Sequence, residues 1–142
     1  MNPPRVDHIG IVVDDLESAI AAMARMLPGA PLRRRTVPDA GLQVAEFQAE
    51  NLIVELLRYT DGGAGFGRAV MGGAPGVNHL SLAVPDLDAA LAALRAGGVE
   101  PMTGFPRRGA HGRIAFLQRE PNTGLLFELC EPDEPAGEEP ST

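Results

Sequence analysis

The chain has 142 residues, 44% apolar and 22% charged, enough for one core-bearing domain or two small halves packed together. A net charge of −7 argues against nucleic acid or an anionic membrane surface as a partner. The single cysteine, Cys130, rules out an intramolecular disulfide, and the complete absence of lysine removes Schiff-base chemistry on a side-chain amine.

Residues 5–13 (RVDHIGIVV) read as a strand, with Val6, His8, Gly10 and Val12 on one face and Ile9, Ile11 and Val13 on the other. Asp14 or Asp15 can cap a following helix whose apolar face is Leu16, Ala19, Ile20, Met23 and Leu27, ended by Pro28-Gly29. Arg33, Arg34 and Arg35 form a basic cluster, with room for a short strand at 32–37, before the turn at 38–41. Strands at 42–48 and 52–58 close the first half. The glycine-dense stretch 61–76 lacks both phosphate-binding patterns and reads as a linker.

A strand at 77–84, an Asp86-capped helix at 87–96 and strands at 114–118 and 124–130 follow, with a further short strand expected near 99–103. The loop 105–113 carries Arg107, Arg108, His111 and Arg113 between glycines; His111 reads as a loop residue. The acidic, proline-rich residues 133–142 are expected to be disordered. No apolar stretch reaches the roughly 20 residues of a membrane span. The opening residues lack a signal-peptide core, so the expected location is the cytoplasm.

The second half repeats the first. At an offset of 71, Val6, His8, Asp15 and Leu16 meet Val77, His79, Asp86 and Leu87; at 73, Glu55 meets Glu128. The division is therefore a first βαβββ module at 5–60, the linker, and a second module at 77–132, an α+β pattern. In each half a His lies on the first strand and a Glu on the last, the Glu in an otherwise apolar series. A bare carboxylate there is costly unless paired or bound to metal. Either pair alone could be structural, with Arg58 or Arg113 as the carboxylate's partner, and simple duplication would preserve such a pair. Finding both together favours His8, Glu55, His79 and Glu128 as ligands of one divalent ion: Co, Mn, Zn, Ni or Fe.

At those four positions the chain resembles the vicinal oxygen chelate superfamily (glyoxalase, bleomycin resistance, dioxygenase). It is most similar within it to methylmalonyl-CoA epimerases, through DHIGIVVDDLESAI, VPDAGLQVAEF, NLIVELL, NHLSLAVPDLDAAL, RRGAHGRIAFL and TGLLFELCEP in order. The resemblance implies two paired βαβββ modules forming a metal-centred, barrel-like curved sheet, and a homodimer that binds an acyl-CoA-like substrate. It implies epimerisation of methylmalonyl-CoA or a related 2-substituted acyl-CoA by α-proton transfer through a metal-stabilised enolate. Glu128 would double as one acid–base group. The family's second carboxylate falls on Val44, so Glu46, two residues along the same strand face, takes that role, with Asp39 as the other candidate. The family's His-Pro-Lys is replaced by Gln118-Arg119-Glu120-Pro121. Arg107, Arg108 and Arg113 could bind coenzyme A phosphates. The alternatives are a glyoxalase-like lyase or isomerase of the same fold, or a non-catalytic small-molecule-binding resistance protein.

Overall fold

In the computed structural model, which describes residues 2–60, 62, 65–109 and 112–133, strands outnumber helices. In chain order these are β1 (Arg5–Val12), α1 (Leu16–Met26), β2 (Leu32–Val37), β3 (Leu42–Gln48), β4 (Ile53–Tyr59), α2 (Phe66–Met71), β5 (Gly76–Ala83), α3 (Leu87–Ala96), β6 (Arg107–Arg108), β7 (Gly112–Phe116) and β8 (Leu126–Pro132). The strands form one curled mixed sheet of eight, a half-barrel ordered β2-β3-β4-β1-β5-β8-β7-β6. Two parallel pairs, β1 with β4 and β5 with β8, flank a central antiparallel pair, β1 with β5. Among the described residues the outer strands β2 and β6 each pair on one side only.

The two long helices form for matching reasons. Asp15 accepts a hydrogen bond from the Ser18 amide at 3.1 Å and Asp86 from the Ala89 amide at 3.0 Å, each satisfying one orphan donor of a first turn. Leu16 and Ile20 of α1 are buried on Ala45, Phe47 and Leu56; Leu87 and Leu91 of α3 are buried on Ala115, Leu117 and Leu129. Full burial of such a side chain is worth about 1.5–3 kcal/mol, so these pairs outweigh the caps in holding the helices to the sheet. Strand alternation then sends the opposite set of side chains to the concave face. There Val12, Val44, Leu57, Phe116 and Leu126 build an apolar cluster across both halves.

Two stretches differ from expectation. Within the glycine-dense segment α2 forms, because Met71 buries into the concave cluster and Phe66 packs against it. Near 99–103 only a single bridge, Pro101 to Leu117, replaces a strand. Proline offers no amide donor to extend the ladder. The tail from 134 onward and His111 lie outside the described residues.

Candidate metal centre

Register alone explains why the four residues meet. One row across the concave face runs Glu46, Glu55, Gly10, His79 and Leu126; the next runs Ile53, His8, Ser81, Glu128 and Phe116. Each histidine thus stands beside a small residue on the central partner strand, Gly10 for His79 and Ser81 for His8. That leaves room for both rings.

His8 Nε2 lies 3.3 Å from His79 Nε2, 3.4 Å from Glu128 Oε1 and 3.6 Å from Glu55 Oε1. His8, Glu55 and His79 each offer a donor atom within 4.8 Å of the others. All four residues are buried, and the rings are locked edge-on: His79 stands 5.3 Å from His8 and 5.6 Å from Phe116 between centroids. The Nδ1 atoms are taken up by the preceding residues, His8 by Asp7 Oδ2 and His79 by Asn78 Oδ1, both at 2.9 Å. Nε2 of each ring is left facing the centre.

The electrostatics follow from crowding carboxylates in a dry place. Burial lowers the His8 pKa, but Glu55, the Asp7 hydrogen bond and Glu128 outweigh it and push it up to about 9. Burial and the charged His8 pull His79 down to about 3, so it stays neutral. Burial also raises the Glu128 carboxyl, opposed by His8. Protonated His8 therefore serves as the cation between Glu55 and Glu128, a position better filled by a divalent ion. Three of them fit one: His8, Glu55 and His79 bring two imidazoles and a carboxylate within reach of one another, a borderline-metal set, while Glu128 stands beside His8 but outside that group. The fully buried Ser81 hydroxyl lies beside Glu128 and, like His8, opposes the rise of that carboxyl.

Glu46 is buried on the same face. Arg35 reaches from β2 with Nε 3.0 Å from Glu46 Oε1 and NH2 3.1 Å from Glu55 Oε2, bridging the two carboxylates. The arginine partner of Glu55 is therefore Arg35, and not Arg58 or Arg113. Sequence reading missed it because only the β2–β3–β4 pairing brings residue 35 across two strands. Val44 is buried in the apolar cluster, and Asp39 is exposed in the turn before β3, off the strand face. The three loop arginines do not make one patch. Arg113 pairs with Asp88 on the helix side at 3.1 Å, exposed Arg108 pairs with Asp133, and Arg107 stands 4.0 Å over the Phe66 ring. A groove of about 440 Å³ opens beside Glu46 and Cys130, walled by Leu32, Ile53 and Arg33. A larger cavity of about 590 Å³ lies by the start of α1, Arg34 and Arg58. The smaller one borders Glu46 and, through Cys130 and Pro132, the strand that carries Glu128.

Residues 7–116 match the model of the Glyoxalase/Bleomycin resistance protein/Dioxygenase superfamily. The chain belongs to this superfamily. Its members of the vicinal oxygen chelate type use a divalent metal. The chain is 33% identical over 130 residues to the ethylmalonyl-CoA/methylmalonyl-CoA epimerase of Cereibacter sphaeroides, spanning 88% of this chain and 96% of the relative. The crystal structure of methylmalonyl-CoA epimerase from Mycobacterium tuberculosis superposes with a TM-score of 0.78 at 30% identity, covering 94% of each chain. A methylmalonyl-CoA epimerase in complex with methylmalonyl-CoA and NH4+ superposes at 0.74 with 30% identity, covering 98% of this chain and all of the other.

The superfamily's half-barrel is therefore the frame for the site. The internal symmetry is broken beside the two carboxylates. Beside Glu55 stands Glu46, whereas beside the equivalent Glu128 stands Phe116.

Proposed function

We propose that the protein is a metal-dependent epimerase of methylmalonyl-CoA or a related 2-substituted acyl-CoA. The observation that carries this reading is the buried cluster of His8, Glu55, His79 and Glu128 on the concave face, in a chain related to epimerases along nearly its whole length. These four residues would hold the ion. When bound, it supplies Lewis-acid stabilisation for the negative charge that develops on the substrate's oxygens as the α-proton leaves.

Glu128 and Glu46 handle the proton. They sit on β8 and β3, on opposite sides of the central β1–β5 pair, so a substrate between them meets a carboxylate on each face. One removes the α-proton and the other returns a proton from the far side, which inverts the carbon. Arg35 orients Glu46, and the buried setting of Glu128 excludes bulk water. Of the loop arginines we assign Arg107 to the coenzyme A phosphates, because Arg108 and Arg113 are committed to Asp133 and Asp88. A symmetric homodimer in the cytoplasm is the proposed working form. No helix among the described residues is long and apolar enough to cross a membrane.

A second reading, another metalloenzyme of the superfamily such as a glyoxalase-like lyase or isomerase, is favoured by one observation. Val44 occupies the place of the family's second carboxylate, and its substitute Glu46 is held by an arginine. The deciding experiment incubates the Co²⁺- or Mn²⁺-loaded protein with methylmalonyl-CoA in D2O and follows the α-proton by NMR. Washout far above the spontaneous rate, lost in His79→Ala, is expected, and in Glu46→Gln inversion of the α-carbon is lost while exchange on the Glu128 face of one epimer remains. Bound metal without washout would sink the epimerase reading and leave the second one.

A further inference from the structure

Two β-bulges sit at equivalent places in the central strand pair. In β1 the register slips between Val6 and His8, so Asp7 is the extra residue; in β5 it slips between His79 and Val77, so Asn78 is. Regular alternation would send the residue before each histidine to the helix side of the sheet. A bulge re-aims a side chain, and such irregularities gather next to functional sites. Here each bulge brings Asp7 or Asn78 alongside the histidine that follows it.

The chemistry of these contacts fixes both ring tautomers. An ionised Asp7 carboxylate can only accept, so His8 Nδ1 must carry the proton at its 2.9 Å contact. Asn78 is buried and donates from Nδ2 to the Met71 carbonyl at 2.8 Å. A carbonyl only accepts, so the amide cannot turn over, and Oδ1 must receive the proton of His79 Nδ1. In both rings Nδ1 is thus taken up and Nε2 is left as the ligand atom, and the two Nε2 atoms lie 3.3 Å apart at the same centre.

We propose that Asp7 and Asn78 are the positioning residues of the metal centre, presenting His8 and His79 through Nε2, with the anionic Asp7 making His8 the stronger donor of the two. The inference rests on the metal reading above and adds to it an inequality between the ligands. A carboxylate behind an imidazole raises its basicity, whereas a neutral amide fixes orientation only. The inequality also places a further carboxylate behind the site on the first half, with Arg5 3.9 Å from its other oxygen on the outer side.

The test is zinc affinity by competition with a chromophoric chelator, alongside the visible spectrum of the Co²⁺-loaded protein and long-range ¹H–¹⁵N correlation of the histidine rings in the Zn²⁺ form. Asp7→Ala is expected to weaken zinc binding toward the upper end of the ~10–100-fold range typical of such partners, and Asn78→Ala toward the lower end. Asp7→Asn keeps an acceptor and the side chain's shape, so it should lose about 10-fold and shift the Co²⁺ bands while folding normally. The rings of the unaltered protein should show Nδ1–H with metal on Nε2. Zinc affinity within twofold of wild type in all three variants, or metal on Nδ1, would overturn the proposal while leaving the centre itself. An unaltered protein that binds no zinc would remove the centre and this inference together.

Discussion

Gly10 gives the sharpest test of how the site is packed. A Cβ placed there would stand 2.2 Å from His79 Cε1, 2.6 Å from Nε2 and 2.7 Å from Nδ1. For ordinary carbon–carbon contact near 3.5 Å the ring must retreat by roughly 1.3 Å. It has nowhere to go, because Phe116 closes one side at 5.6 Å and His8 the other at 5.3 Å. Overpacking of this kind costs about 1–3 kcal/mol, and replacing a strand glycine by alanine returns about 0.5–1 kcal/mol. Gly10→Ala should therefore fold, about 1 kcal/mol less stable in urea unfolding. Metal binding suffers far more, since ligand distances tolerate only about ±0.2 Å. Its zinc affinity should fall by more than the ~100-fold that outer partners typically command. Gly97→Ala, whose Cβ meets Leu94 O at an ordinary 3.5 Å, is the control. Wild-type zinc affinity in Gly10→Ala would refute the claim that this glycine exists to make room for His79.

Two further outcomes are expected. In chelator-treated protein, His8 has its pKa raised to about 9 against an ordinary 6.5, so the folded state holds a proton that the unfolded state has released between those values. Stability from this group is complete below pH 6.5 and disappears as pH rises toward 9, a slope of about 1.4 kcal/mol per pH unit at most. Added metal should abolish this alkaline decline and release a proton at neutral pH; a flat urea midpoint from pH 6.5 to 9 without metal would contradict the assignment. Removing Arg35 as Arg35→Met takes a cation from both Glu46 and Glu55. The cost should lie near the ~3 kcal/mol lower end for breaking buried pairs, because the arginine side chain is 20% exposed. A change under about 0.5 kcal/mol, typical of surface sites, would show that the bridge is incidental.

Much of this was legible in the sequence, for identifiable reasons. Repeated His and Glu positions survive inspection because strand period and chain offset are local properties. The two long helices announced themselves through Asp15 and Asp86 and their apolar spacing. What escaped depends on pairing between distant segments. Arg35 meets Glu46 and Glu55 only once β2, β3 and β4 are in register. The bulges at Asp7 and Asn78 exist only because β1 and β5 lie antiparallel, although an Asp and an Asn directly before the two histidines was a visible hint. α2 escaped because its helical order comes from burying Met71 rather than from the propensity of its glycine-rich neighbours.

The half-barrel does not close, and this gives the arginine runs a second meaning. Among the described residues the outer sides of β2 and β6 pair with no further strand, and such an edge is the template on which chains of different molecules add to one another. Both borders are written in arginine: Arg33, Arg34 and Arg35 on β2, Arg107 and Arg108 on β6. Most of these arginines are paired with carboxylates, Arg34 with Glu17, Arg35 with Glu46 and Glu55, and Arg108 with Asp133, while β6 is only two residues long and gives an added strand little to pair with. The same arginines that line the borders thus tie them inward, to α1, to the concave face and to the end of β8, so that each edge is anchored to the chain's own carboxylates.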